Sequence, residues 1–379
     1  MTQAATRNTN PLGYRGTLIS AESCVTEPAE LWQQALPAHW RQQGPRVSAG
    51  PQGDQFEIAG TPPRPLGLRG PLAQLRRIDI NGGHGYENYR YDAAPSCRDG
   101  AARVAWQRTA GIAAEVLYPT LGLLICTSPD AQLQQLCCRI YNDWLAQFCA
   151  ADPARLRGMA LLPAKADMSG IVAEIDHAAA LGMAGVVLPA RHAVLPYNMP
   201  AWDAAWAALQ QHGLVCAIHL GPEEGAAVSP RGPGAAGILL STGKYELNEF
   251  LQMIVWGGAV QRFPGLRFGL VGSGAGWLAT QINLMDHWWH DHKGWMEPRL
   301  NQAPSHYWHQ QGFATFRTDD AGLATRQIIG VGNLLWGLGP DADSLPEPLA
   351  AGLCDLPGSD AAAIASGNAA RLFGITAIS

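Results

Sequence analysis

The chain has 379 residues, of which 47% are hydrophobic and 15% charged, and its 26 Lys and Arg against 31 Asp and Glu leave a net charge of −5. That balance excludes intrinsic disorder and gives no basic surface for holding a nucleic acid through its phosphates. No apolar run approaches the roughly 20 residues a membrane-spanning helix needs, and the polar start MTQAATRNTNP has no leader pattern, so a cytoplasmic protein is expected. The eight cysteines sit in apolar segments without CxxC spacing, as buried thiols in a reducing compartment would.

Gly16–Glu22 reads as a first strand, and no phosphate-binding loop follows it, which argues against a doubly wound dinucleotide fold. Residues Pro37–Gly111 are rich in Pro, Gly and Arg without a sustained period, and are expected to be an excursion over the barrel mouth. Short apolar strands then alternate with helical segments. The strands are Ala114–Tyr118, Leu156–Leu162, Gly185–Pro189, Leu214–His219, Leu266–Val271, Phe313–Phe316 and Leu334–Gly337. The helices are Ala131–Ala151, Ser169–Leu181, Ala201–His212, Glu246–Phe263, Gly276–His292, Ala321–Ile329 and Asp360–Phe373. Ser169 ahead of Glu174 reads as a helix start, and Gly182 and Gly213 as helix ends. Eight strands with crossover helices predict an α/β fold, the (β/α)8 TIM barrel, built as one domain over residues 1–379. Gly221–Lys244, a second glycine-rich stretch, falls after the fifth strand at the C-terminal face.

Ordered motifs cover almost the whole chain: LISAESCVTEPAELW at Leu18–Trp32, EVLYPTLGL at Glu115–Leu123, RLRGMALLP at Arg155–Pro163 and GMAGVVLP at Gly182–Pro189. They continue with PAWDAAWAALQQHGLVCAIHLG at Pro200–Gly221, RFPGLRFGLVGSGAGWL at Arg262–Leu278, GVGNLLWG at Gly330–Gly337 and GNAARLFG at Gly367–Gly374. Together they resemble the amidohydrolase-related group of the amidohydrolase superfamily, the branch containing aminocarboxymuconate-semialdehyde decarboxylase. The resemblance implies a TIM barrel with a divalent metal at the strand C-termini. Its ligands would be an acidic-x-His pair on the first strand, a His on the fifth and a His or Glu on the sixth, with a proton-moving Asp on the eighth.

Carried over position by position, that pattern is incomplete. Glu22 keeps the acidic position, Cys24 replaces the His, and His219 matches the fifth-strand ligand. Gly272 stands where relatives carry Glu, Gly339 at the Asp position, and Ala342 where a further His belongs. Asp341 is two residues away, but the Trp336-Gly337 pair fixes the register and Pro340 restricts the backbone before it. The expected catalytic candidates are therefore His219, Glu22 and Cys24, with His192 as a substrate-binding candidate in the loop after the fourth strand. No metal cofactor is expected; the alternative is zinc held by Glu22, Cys24 and His219. A His219–Cys24 pair for covalent catalysis stands against a buried packing thiol. His287, His290 and His292 share a helix end, where a capping or surface role is expected, as for His306 and His309.

Two functions follow as expectations. One is a barrel that has lost ordinary metal-dependent chemistry and serves as a binder or partner subunit, in a homo-oligomer or with an intact related amidohydrolase. The other is a carboxy-lyase or hydrolase with an altered metal site, or none, acting on a small carboxylated or aromatic molecule. A small-molecule ligand is expected in both.

Overall fold

The computed structural model describes residues 10–50, 53–66, 91, 95–191, 193–219, 241–339 and 349–376. Eight parallel strands form one sheet: β1 (Ile19–Cys24), β5 (Ala114–Tyr118), β6 (Leu156–Leu161), β7 (Gly185–Pro189), β8 (Val215–His219), β9 (Arg267–Val271), β10 (Gly312–Phe316) and β11 (Leu334–Trp336), each paired with the next in that order. Strands β2 (Arg46–Gly50), β3 (Gly53–Glu57) and β4 (Arg64–Pro65) form a separate antiparallel sheet. Every residue of β1, β5, β7 and β10 is buried, as parallel strands covered on both faces require.

The sheet closes on itself. Ser23 bridges Gly339 in parallel, the Gly339 N–H donates to the Glu22 carbonyl at 2.9 Å, and the Leu338 N–H donates to Ser20 Oγ at 3.0 Å. Gly337 makes this closure possible, because a Cβ there would lie 2.7 Å from Glu22 Cβ and 3.0 Å from its nitrogen. The result is the (β/α)8 TIM barrel that eight strands and crossover helices predict.

Strand positions agree with the sequence reading to within a few residues; β1 starts at Ile19 and extends to Cys24, so it carries both Glu22 and Cys24. Helix boundaries differ more. The continuous helix expected over Glu246–Phe263 is two, Lys244–Trp256 and Ala259–Arg262, because Gly258 adopts φ +73 between them. Ala321–Ile329 likewise divides at Thr325 into Asp320–Ala324 and Arg326–Ile329. The expected Ser169 start is a correction of detail: Asp167 is the cap and accepts from the Gly170 N–H, while Glu174 faces Arg139 and Asn142. Gly182 and Gly213 end their helices at φ +73 and +66, as expected.

The Pro37–Gly111 excursion holds more regular structure than its composition suggests. Besides β2–β4 it contains the helices Pro95–Arg98 and Gly100–Ala110, the second capped by Asp99, which accepts from the Ala102 N–H at 2.7 Å. Arg103 and Gln107 on that helix reach Glu115 of β5: Nε and Nη2 of Arg103 donate to its two oxygens at 2.7 and 2.8 Å, and Gln107 Nε2 donates at 2.8 Å. Both side chains of the Arg103–Glu115 pair are fully buried. Burial pushes the Glu115 carboxyl up, but the guanidinium and the hydrogen bonds outweigh it and hold it below the ordinary range. The small sheet is tied to the end of the barrel where β1 finishes, through Tyr91, whose N–H donates to Asp54 Oδ2 and whose hydroxyl donates to the Glu27 carbonyl. Among the described residues no helix is long and apolar enough to cross a membrane.

Candidate functional site

The last inward-facing residues of a barrel's strands converge at its C-terminal mouth, where this fold places its chemistry. Here they include Glu22 from β1, Tyr118 from β5, His219 from β8 and Thr315 from β10. Glu22 is buried, and its Oε2 accepts from Thr315 Oγ1 at 2.5 Å. The Thr315 Oγ1 in turn accepts from the Gly272 N–H at 3.3 Å, so one hydroxyl joins β1, β9 and β10. A Cβ built on Gly272 would meet His219 Cε1 at 3.5 Å, His219 Nε2 at 3.7 Å and Glu22 Oε1 at 3.7 Å. The second carboxylate oxygen and the imidazole thus flank a common point in front of Gly272.

Gly272 and Gly339 adopt φ +93 and +73, a backbone that side-chain-bearing residues rarely take. Neither is crowded: at Gly339 the nearest atom is Arg317 Cδ, 3.8 Å from a hypothetical Cβ. The two glycines leave the mouth open beside Glu22, with the Arg317 stem on its wall.

Tyr118 pairs with Cys24 across the β1–β5 ladder, and its ring centroid lies 5.7 Å from that of His219. Burial, with Glu22 and Cys24 nearby, pushes the Tyr118 hydroxyl well above its ordinary value. The Cys24 thiol is buried and pushed upward first by burial, then by Glu22 and Glu27, with the Thr120 hydroxyl beside it. Without a neighbouring cation that environment favours the thiol over the thiolate that nucleophilic attack needs. Glu27, a carboxylate the sequence reading did not single out, is fully buried and accepts from the N–H groups of Thr120, Leu121 and Gly122 at 3.0, 2.8 and 2.9 Å. It clamps the loop after β5 to the end of β1, which fixes Tyr118 and Cys24 in register.

The structure therefore brings Glu22 and His219 together and adds Thr315 and Tyr118. Both additions looked like core strand residues in the sequence; their signal was position, at the last inward place of β10 and β5. His192, Asp341, Ala342 and most of Gly221–Lys244 lie outside the described residues. His287, His290 and His292 lie in the last two turns of the helix Gly276–His292, about 17 to 24 Å from its start at the mouth, and His287 pairs there with Asp291 at 3.6 Å. His309 bonds the Ile328 carbonyl and lines a cavity of about 400 Å³ with Arg267, Gln311 and Arg371, at the N-terminal ends of β9 and β10. That is the face this fold uses for stability.

The resemblance implies a divalent metal, and the donor set tests it. Among the described residues no three His, Cys, Asp or Glu side chains are placed to hold a metal ion. Two donors face the common point, Glu22 Oε1 and His219; the third candidate, Cys24, is not placed to complete a set with them, and Gly272 and Gly339 supply no donor side chain. The described residues do not fit the family's metal cage.

Comparison with known proteins places this geometry in context. The amidohydrolase family model matches residues 128–375, well over half of the chain. No curated protein matches it. Among solved structures, an amidohydrolase from Mycobacterium avium subsp. paratuberculosis aligns at 19% identity and TM-score 0.76, over 98% of this chain and 100% of that one. The 5-carboxyvanillate decarboxylase of Sphingomonas paucimobilis aligns at 22% identity and TM-score 0.66, over 95% and 99%. That of Novosphingobium aromaticivorans, complexed with manganese and 4-hydroxy-3-methoxy-5-nitrobenzoic acid, aligns at 15% identity and TM-score 0.67, over 96% and 97%. At these identities the structural likeness speaks to the fold alone, and the family match carries the assignment: the chain belongs to the amidohydrolase family.

Proposed function

We propose that the chain is an altered amidohydrolase that binds a small carboxylated or aromatic molecule at the barrel mouth and acts on it as a carboxy-lyase, through Glu22 and His219. One observation carries this reading: Glu22 Oε1 and the His219 imidazole face a common open point, while the other Glu22 oxygen is fixed by Thr315. The likeness to decarboxylases of 5-carboxyvanillate and 2,6-dihydroxybenzoate supports the substrate class.

In such a reaction the C–C bond to the carboxylate breaks, CO2 leaves, and the electron pair left on carbon takes up one proton. Glu22 relays that proton from solvent to the carbon. His219 donates to a substrate oxygen and orients the ring, and Thr315 prevents rotation of the Glu22 carboxyl away from the reacting carbon. Cys24 packs the wall. Purified protein given 2,6-dihydroxybenzoate or 5-carboxyvanillate should release CO2, and Glu22→Gln and His219→Ala should each slow release by about 10²-fold or more. Unchanged rates in both variants would exclude the pair from catalysis.

A second reading is a binding or supporting subunit that assembles with an intact related amidohydrolase. The left-handed glycines at 272 and 339 favour it, because two acidic positions of the family pattern are replaced by residues that carry no side chain. Co-expression with an intact relative from the same source distinguishes the two: activity only in the mixed assembly supports the subunit, and activity of this chain alone supports the lyase.

A further inference from the structure

The last inward residue of β5 has an unexplained property. Glu115, on the opposite face of that strand, turns to Arg103 on the outer helix, so period-two alternation directs Ala114, Val116 and Tyr118 into the barrel. Tyr118 is completely buried, and its hydroxyl has no hydrogen-bond partner among the described residues. Buried tyrosine hydroxyls normally find a partner, and leaving one unmade costs stability. This one stands beside the site, 5.7 Å ring to ring from His219, next to Cys24 in the ladder, and on a strand whose end is clamped by Glu27. A group that only filled space there would serve as well as phenylalanine.

We propose that the Tyr118 hydroxyl is a ligand-anchoring donor that completes its hydrogen bond on an anionic oxygen, carboxylate or phenolate, of the molecule bound at the mouth. This rests on the carboxylate reading of the site given above. The hydroxyl stays protonated through neutral pH, as a donor to an anion must, since burial pushes it far above the titration of free tyrosine. A phenol fixed by its strand loses little freedom on binding, so its bond is formed without reordering the site.

The test is Tyr118→Phe, which removes one oxygen and keeps the ring, with Tyr141→Phe as the comparison. Tyr141 is also fully buried with an unpartnered hydroxyl, but on the helix Ala131–Cys149 outside the barrel. Binding of 2,6-dihydroxybenzoate is measured by titration calorimetry and ligand-free stability by thermal unfolding. Tyr118→Phe should bind about ten- to a hundredfold more weakly, while its ligand-free melting temperature rises by about 2 °C or more. Tyr141→Phe should leave binding unchanged. Wild-type binding matched by Tyr118→Phe, or a ligand-free Tyr118→Phe less stable than wild type, overturns the role of Tyr118. Wild-type protein that does not bind the probe overturns instead the carboxylate reading of the site, and the anchoring role with it.

Discussion

Glu115→Gln isolates the interaction that holds the strand carrying Tyr118. The substitution keeps the shape of the side chain but removes its charge, leaving Arg103 fully buried without its counterion and with one of its two carboxylate oxygens replaced by an amide donor. Gln107, which donates to the same carboxylate, loses a charged acceptor as well. Breaking a buried pair by neutralising one member costs about 3–5 kcal/mol, or about two to three and a half powers of ten in the folding equilibrium at 1.4 kcal/mol each. Equilibrium urea unfolding, followed by tryptophan fluorescence and far-UV circular dichroism, reads this as a lower midpoint. Replacing both partners by apolar residues, Arg103→Met with Glu115→Leu, should recover most of the loss, because no charge is then left buried. The pair also sets a pH dependence. The folded-state carboxyl of Glu115 lies below its ordinary value of 4.5, so its contribution is complete above that value and is lost as pH falls through the lowered folded value. A Glu115→Gln protein within 1 kcal/mol of wild type, or one whose stability falls as steeply in acid, would refute this account of the network.

Gly337→Ala should destabilise the protein by about 1–3 kcal/mol, since its Cβ would press on Glu22 where β11 closes on β1; a thermal melt unchanged from wild type would show that the closure yields. Thr315→Val keeps the volume but removes the donor to Glu22, and should lower turnover of 2,6-dihydroxybenzoate more than its binding, which steady-state kinetics separates into kcat and KM. Gly339→Asp puts a carboxylate at an open position whose left-handed backbone Asp tolerates, and should raise uptake of Mn²⁺ or Zn²⁺ measured by elemental mass spectrometry. Unchanged uptake would mean that a third donor at this position cannot join Glu22 and His219.

The barrel was legible because fully covered parallel strands are short continuous apolar runs, and β7, the Val215–Ile218 stretch of β8, and β11 stand out as such between helical periods. The helix Gly100–Ala110 was not, because the face it buries is Gly100, Arg103, Gln107 and Ala110: helical spacing is present, but two of the four positions are polar and pair with Glu115. Apolar periodicity also ran through Gly258, where a left-handed residue ends one helix and begins another. At the site, Glu22 and His219 were identified through family-like motifs, whereas Tyr118 and Thr315 were hidden by being ordinary strand residues. Their roles depend on which strand ends face each other, which no local pattern states. Glu27 was missed for a related reason, since its three N–H partners lie more than ninety residues away.

The most direct test of the account is turnover of 2,6-dihydroxybenzoate by protein stripped of metal by prolonged chelation, with metal content followed by elemental mass spectrometry. The account predicts CO2 release at the same rate before and after stripping, at far less than one metal per chain. Release that stops on chelation and returns with Mn²⁺ or Zn²⁺ would contradict it, and would place a metal, not the Glu22–His219 pair alone, at the centre of the chemistry.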